Sequence, residues 1–150
     1  YFLTFFADPE ASEHVGGPSG PEDTWRRMLA GAALWPLTGI GMWSVERRDD
    51  GSTIGHVGFF DFLRQCDPSI AGEPEMGWIL APVAHGKGFA REACDAILAW
   101  FDEQFGKHRM WALISPGNAP SMKLAEKLGF VRQADGIYRD KPQTFWLRPA

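Results

Sequence analysis

The sequence predicts a mixed α/β fold, an α+β arrangement in which helices flank one central sheet. Two observations carry this prediction. Short segments with the composition of strands alternate with longer segments in which apolar residues recur at helical spacing. The first two strand candidates are joined by a linker containing Asp50-Gly51, and Asp-Gly between strands is a strong signal for a β-hairpin.

The predicted elements follow one another as helix, hairpin, strand, helix, strand, helix and two final strands. The predicted helices cover residues 22–34, 89–104 and 119–128. The predicted strands cover residues 41–47, 53–60, 75–80, 110–115, 130–133 and 144–148. Loops are predicted at 8–21 and 64–74, and Pro36 is expected to break the chain after the first helix.

Local signals mark the ends of the last helix and the turn that follows. Asn118 has the side chain of an N-cap, and Pro120 is tolerated in the first helical turn. Gly129 is expected to end this helix, the usual role of a glycine just past a helix. The last two strands are predicted to flank a turn around Gly136.

Size and composition exclude several classes of protein. With 150 residues, of which 45% are hydrophobic and 23% charged, the chain is most economically one globular domain spanning 1–150. A net charge of −4 argues against a nucleic-acid partner bound by phosphate neutralisation. No apolar run approaches the ~18 residues of a membrane helix, so no membrane partner is expected.

The cysteines, the histidines and the N-terminus carry further expectations. Cys66 and Cys94 form no C-x-x-C, and the four histidines are scattered, so neither a metal site nor a redox pair is expected. Cys94 is expected in the core, and a reducing, cytoplasmic setting fits best. The apolar N-terminus is no signal peptide and is interpreted as an element end whose preceding residues are missing.

The most informative segment is a glycine-spaced helix start, His85 to Ala90, which follows the predicted strand 75–80. Free N–H groups at a helix start and the positive end of the helix dipole favour an anion. The P-loop pattern fails because Ala81 and Gly88 stand at two of its defining positions. The dinucleotide fingerprint fails because Arg91 stands where its third glycine belongs.

The coenzyme A diphosphate pattern, Q/R-x-x-G-x-G/A, fits this segment with His85, Gly88 and Ala90 in its first, fourth and sixth places. Small residues at alternate positions let diphosphate oxygens approach successive N–H groups. His85, Lys87 and Arg91 supply local positive charge. The alternative is a glycine-rich helix start that only turns the chain.

A second motif runs from Asn118 to Phe130, NAPSMKLAEKLGF. Together with Glu75-Met76-Gly77-Trp78 and the glycine segment, it resembles the GNAT superfamily of acyl-CoA-dependent N-acyltransferases, and most closely its RimJ/RimL-like branch. The likeness covers nearly the whole chain, although the family's first strand is largely absent. The chain departs from the family at His85, usually Trp, Gln or Arg, and at Ala125, where many members have a tyrosine general acid.

The resemblance implies a GNAT fold, with a mostly antiparallel sheet in which the parallel strands 75–80 and 110–115 splay apart. Acetyl-CoA, a co-substrate, would lie between these strands. The residues implied to bind it are Ile79, Leu80, His85, Gly86, Lys87, Gly88, Phe89, Ala90, Arg91, Asn118 and Ser121. Within this set, the backbone of Ile79 and Leu80 would pair with the pantetheine amides.

The resemblance also implies two catalytic candidates. Glu75 is the candidate general base for the attacking amine, against the alternative of an exposed carboxylate at a strand end. Ser121 is the candidate donor to the leaving thiolate, against the alternative of a first-turn serine bonded to its own backbone.

The acceptor is expected to be a primary amine, either a peptide or protein N-terminus or a small molecule. Its pocket would form from the region Trp25–Trp35 and the acidic loop around Asp67 and Glu73. The resemblance makes a homodimer one candidate assembly. Two other functions stay open at this point: a catalytically idle acyl-CoA-binding module and a nucleotide-binding α/β domain.

Overall fold

A seven-stranded sheet forms the centre of the protein. The structure is a computed structural model that describes residues 1–150. The strands are β1 (Met42–Glu46), β2 (Thr53–Phe60), β3 (Cys66–Asp67), β4 (Glu75–Leu80), β5 (Met110–Ile114), β6 (Val131–Tyr138) and β7 (Lys141–Arg148). Their order across the sheet is β1-β2-β4-β5-β7-β6-β3, antiparallel throughout except for the parallel pair β4 and β5. The predicted mixed, mostly antiparallel sheet is confirmed.

Five helices flank this sheet. They are α1 (Phe2–Ala7), α2 (Pro9–Ser12), α3 (Pro21–Thr38), α4 (Phe89–Phe105) and α5 (Ala119–Lys127). The predicted loop at 8–21 is wrong for its first half, because α2 and a 3₁₀ turn at Glu13–Val15 lie there. The reason is a cap: an Asp8 side-chain oxygen accepts from the N–H groups of Glu10 and Ala11 at 2.8 and 3.2 Å. No helix is both long and apolar enough to cross a membrane.

The main core lies between one face of the sheet and α4. Cys94, Ile97, Leu98 and Phe101 form the buried stripe of this helix, which confirms the predicted amphipathic pattern. Phe59 and Met76 face it from β2 and β4, each with no more than 1% of its surface exposed. Since side chains alternate along a strand, Glu75, Gly77 and Ile79 face the opposite side of the sheet.

The first long helix passes through a proline. The predicted break at Pro36 is wrong, because α3 continues to Thr38 and ends at Gly39, where φ is +77°. Pro36 lacks an N–H group, so the carbonyl of Ala32 loses its helical partner. Both residues are exposed, which lets water satisfy that carbonyl and keeps the cost of the proline small.

The C-terminal hairpin turns later than the sequence predicts. β6 and β7 meet at Arg139-Asp140, both with positive φ, and the turn predicted around Gly136 is wrong. Gly136 lies inside β6. The position requires glycine because the backbone of the 64–74 loop crosses it, and a Cβ there would clash with the Asp67 carbonyl oxygen. That loop also contains β3, whose Cys66 pairs with Tyr138.

Candidate active site

The parallel strands β4 and β5 separate almost as soon as they meet. Their only register pair is Glu75 with Trp111, and the Trp111 N–H donates to the Pro74 carbonyl at 2.9 Å. On its other side, β4 pairs with β2 along its whole length. Beyond Glu75, β4 therefore has an edge without a partner strand, and a gap opens between the two strands.

The register with β2 determines which backbone groups of β4 face this gap. The Ala81 N–H donates to the Ile54 carbonyl at 2.8 Å, so these opposed residues form a hydrogen-bonded pair. Because such pairs alternate along an antiparallel ladder, the polar backbone groups of Ile79 are directed at β2. Those of Trp78 and Leu80 are directed at the gap. The sequence identified Leu80 but not Trp78, because it does not reveal the parity of the register.

The glycine segment forms an exposed row of backbone N–H groups at the start of α4. Gly86 and Gly88 have φ of +71° and +85°, and a Cβ on either would contact nothing within 4 Å. The glycines are therefore required by backbone conformation and not by crowding. From Gly86 to Arg91, no backbone N–H donates to another group of the protein. Together with the dipole of α4, this row favours an anion.

The three cationic side chains predicted around this row differ in where they lie. Lys87 is exposed and makes no ion pair. The His85 side chain bonds the Leu80 carbonyl oxygen through Nε2 at 2.9 Å, at the edge of the gap. Arg91 is directed away, since its guanidinium bonds Asp95 at 2.5 Å and the Lys127 carbonyl at 2.6 Å. Its side chain joins α4 to α5, and only its N–H belongs to the row.

The start of α5 places Ser121 against β4. Asn118 is the N-cap, as predicted, and its Oδ1 accepts from the Ser121 N–H at 3.2 Å. The Ser121 hydroxyl makes no bond to its own backbone; instead Oγ accepts from Nε1 of Trp78 at 3.3 Å. Ala125 is completely buried, so the core occupies the position where many relatives would have tyrosine.

Glu75 is a buried carboxylate with one charged partner. It has 4% of its surface exposed, so the alternative of an exposed strand-end carboxylate is wrong. Nε of Arg64 lies 2.5 Å from its Oε2. Burial raises the pKa of Glu75 to about 7, although the positive charge of Arg64 acts to lower it. At neutral pH such a group can both accept and release a proton.

Arg64 was not identified from the sequence. Its guanidinium lies 4.5 Å from the ring centre of Tyr138, 5.5 Å from that of Phe60 and 5.9 Å from that of Phe62. These rings come from β6, the end of β2 and the following loop. Arginine in a loop predicted to be polar carries no signal of this role, since Glu75 and Tyr138 lie 11 and 74 residues further along the chain.

Of the two acidic residues expected to line an acceptor pocket, Glu73 is neutralised by an ion pair and Asp67 is exposed. Glu73 accepts from Nε1 of Trp111 at 2.7 Å and pairs with Arg109 at 3.5 Å. The two tryptophans at the ends of the predicted region Trp25–Trp35 differ in burial. Trp35 packs edge-on against Trp43 and Trp100, with ring centres 4.5 and 5.9 Å apart, whereas Trp25 is 57% exposed.

The N-terminal segment reaches the far side of the gap. The Ser115 hydroxyl, just past β5, donates to the His14 carbonyl at 3.4 Å. Glu75 and Trp78 are on opposite faces of β4, so the gap has the carboxylate on one side of the sheet and Ser121 on the other.

No group of three His, Cys, Asp or Glu side chains in the structure could hold a metal ion.

Known proteins match both the sequence and this architecture. The family model described as an acetyltransferase (GNAT) domain matches residues 1–131. The uncharacterised N-acetyltransferase p20 of Bacillus licheniformis is 36% identical over 138 residues, covering 91% of this chain and 74% of p20. Two Bacillus subtilis relatives are matched over only 49% and 51% of their own length, so the chain spans about half of those proteins.

Solved structures of the same fold cover most of the chain. A GNAT-family protein from Bordetella pertussis superposes with a TM-score of 0.85 at 31% identity, covering 98% of this chain and 89% of that one. The yncA protein of Salmonella typhimurium, solved with its cofactor acetyl-CoA, superposes with a TM-score of 0.65 at 27% identity, covering 83% and 72%.

Proposed function

The chain belongs to the GNAT acetyltransferase family, and on that premise we propose that it is an acetyl-CoA-dependent N-acetyltransferase acting on a primary amine. The observation that carries the proposal is the juxtaposition of two sets of unpaired backbone groups. One is the row of free N–H groups from Gly86 to Arg91. The other is the open edge of β4, where the N–H and C=O of Trp78 and the N–H of Leu80 lack a backbone partner, while the Leu80 carbonyl is bonded by His85.

In this proposal the donor is bound mainly by backbone. The diphosphate accepts from the N–H groups that begin α4, with Lys87 and His85 beside it. The pantetheine amides pair with Trp78 and Leu80 as an added strand would, and not with Ile79, whose backbone groups serve β2. The acetyl-CoA in the yncA structure supports this choice of donor.

The acetyl group then passes directly to the amine. The amine nitrogen attacks the thioester carbonyl carbon, so a C–N bond forms while the C–S bond to coenzyme A breaks. Glu75 takes up the proton that the amine loses, directly or through a water chain, and its raised pKa suits a base at neutral pH. The sulfur leaves as a thiolate and takes its proton from solvent, so nothing is oxidised or reduced.

Ser121 acts on the leaving group in this proposal. A serine hydroxyl is too weak an acid to protonate a thiolate fully, but it can donate a hydrogen bond to the charge that develops on sulfur. Cys94 takes no covalent part, because it is completely buried and its pKa is raised to about 12 by that burial.

The finer assignment is to the RimJ/RimL-like branch, with a peptide or protein α-amine as the favoured acceptor and a small-molecule amine as the other. The motifs from Glu75 to Trp78 and from Asn118 to Phe130 support the branch. Two free cysteines, Cys66 and Cys94, support a reducing cytoplasmic location. The buried Ala125 favours one competing function, an idle acyl-CoA-binding module, since no hydroxyl replaces the usual tyrosine there.

Two measurements test the proposed function. Calorimetry with acetyl-CoA, CoA and ATP should show binding of the first two, and binding of ATP alone would reject the proposal. A thiol-release assay across a panel of peptides and small amines should then show turnover with at least one acceptor class. Binding of acetyl-CoA without turnover on any acceptor would favour the idle module instead.

A further inference from the structure

We propose that Trp78 is a positioning residue for Ser121: its indole N–H holds the Ser121 hydroxyl so that the hydroxyl hydrogen is directed at the leaving sulfur. The inference deepens the proposed function and rests on it. It assigns a task to a tryptophan that would otherwise count only as packing between β4 and α5.

The donor and acceptor roles in this contact are unambiguous. An indole Nε1–H can only donate, so in the 3.3 Å contact the Ser121 oxygen must accept. A serine hydroxyl also carries one hydrogen of its own, and no group of the protein accepts it from Ser121. The contact therefore occupies a lone pair of Oγ and leaves its hydrogen free for a ligand.

Both partners are held by separate parts of the fold. The Ser121 backbone is tied to the Asn118 cap at 3.2 Å, which fixes the start of α5. Trp78 is opposite Val57 in the β2–β4 ladder, and its ring packs against Phe130 with centres 6.3 Å apart. The hydroxyl oxygen is thus located between a strand and a helix start, on the edge of β4 that borders the gap.

This arrangement should act on the transition state more than on binding. Negative charge grows on sulfur only as the C–S bond breaks, so an oriented O–H is worth most at that moment. Loss of the indole N–H frees the hydroxyl to rotate, which lowers kcat while the backbone contacts to the donor remain. If Trp78 only packs, its substitution should act through stability. Any loss of kcat in Trp78→Phe should then multiply with the loss of kcat in Ser121→Ala.

The decisive experiment is a double-mutant cycle on acetyl transfer. Trp78→Phe should lower kcat by about three- to tenfold, the scale of one hydrogen bond, with little change in KM for acetyl-CoA. In the Ser121→Ala background the same substitution should have no further effect on kcat. Losses that multiply in the double variant, or an unchanged kcat in Trp78→Phe, would overturn the proposal. Trp100→Phe, which removes an indole packed against other aromatic rings, is the matched control and should leave kcat unchanged.

A second measurement needs no activity and no change to Trp78. In a ¹H–¹⁵N spectrum, Ser121→Ala should shift the indole N–H resonance of Trp78 and speed its exchange with water, because its acceptor is gone. The other six of the seven tryptophans should be unaffected. An unmoved Trp78 resonance would show that the contact is absent in solution and would sink the proposal. Absence of turnover in the unmodified protein would instead reject the proposed function.

Discussion

The two ends of β4 present different kinds of chemical group. At its start, β4 is joined to β5, and the chemistry belongs to side chains: Glu75 and Arg64 form a buried ion pair among aromatic rings. At its end, β4 has no partner on the β5 side, and the groups on offer are backbone N–H and C=O. The glycine row at the start of α4 continues this backbone surface.

This difference decides which changes each end tolerates. A site made of backbone depends on dihedral angles and is nearly indifferent to most side chains. A site made of buried side chains depends on charge and on single atoms, because an unpaired charge in the interior is costly. In the proposed function, the backbone end of β4 binds the donor, and the side-chain end carries out the proton transfer.

The largest predicted effect tests the side-chain end. Glu75→Gln keeps the shape but cannot accept a proton, so kcat for acetyl transfer should fall by about 10²- to 10⁴-fold. The affinity for CoA, measured by calorimetry, should stay within about twofold because the backbone end is untouched. Glu103→Gln, an exposed change on α4, is the matched control. A Glu75→Gln protein that retains nearly full kcat would show that Glu75 is not the general base.

The next effect tests the backbone end. Gly88 has φ of +85° with open space around it, so Gly88→Ala is strained by conformation alone, at a cost of about 1–2 kcal/mol. Relief of that strain would turn the N–H row away, so the affinity for CoA should fall by about tenfold while kcat at saturation changes little. Gly39→Ala, at φ of +77° in the same left-handed conformation after α3, should cost similar stability and leave CoA affinity unchanged. Equal affinity losses in both variants would mean that stability, not the row, is being measured.

A pH profile tests whether Glu75 at the side-chain end is the base. If Glu75 is the base, kcat/KM must rise as the carboxyl loses its proton and level off above the pKa of about 7. Arg64→Gln removes the cation that lowers this pKa, so the rising limb should move to higher pH by about one pH unit. Arg64→Lys keeps the charge and should move it less. If the rising limb stays at the same pH in Arg64→Gln, it does not report the titration of Glu75 beside Arg64.

Most features that the sequence predicts correctly are local, although the local Asp8 cap was missed. The hairpin glycine, the Asn118 cap, the α4 stripe and the glycine-spaced helix start each depend on neighbours along the chain, and the structure has them where expected. The partners of Glu75 could not be predicted in this way. The 64–74 loop folds back onto β6, and this brings Arg64 to Tyr138 and passes the loop over Gly136. No local sequence pattern encodes that contact.

The same distinction applies to the choice between Ile79 and Leu80. Sequence motifs locate the open strand, but only the register with β2 decides which of two adjacent residues offers its polar groups to the gap. A shift of one residue would exchange the roles of Ile79 and Leu80 without altering any motif.

The smallest predicted effect concerns the one cation that stays free beside the row. Lys87 is exposed, so its attraction to a diphosphate is screened by water and salt. Lys87→Ala should therefore weaken CoA binding by no more than about fivefold at low salt, on the scale of an exposed ion pair, and by almost nothing at ~0.5 M salt. Lys107→Ala, exposed beyond the far end of α4, should change neither value. A loss in Lys87→Ala as large as that in Gly88→Ala, and insensitive to salt, would mean that this end of β4 also relies on a side chain, and the contrast between the two ends would fail.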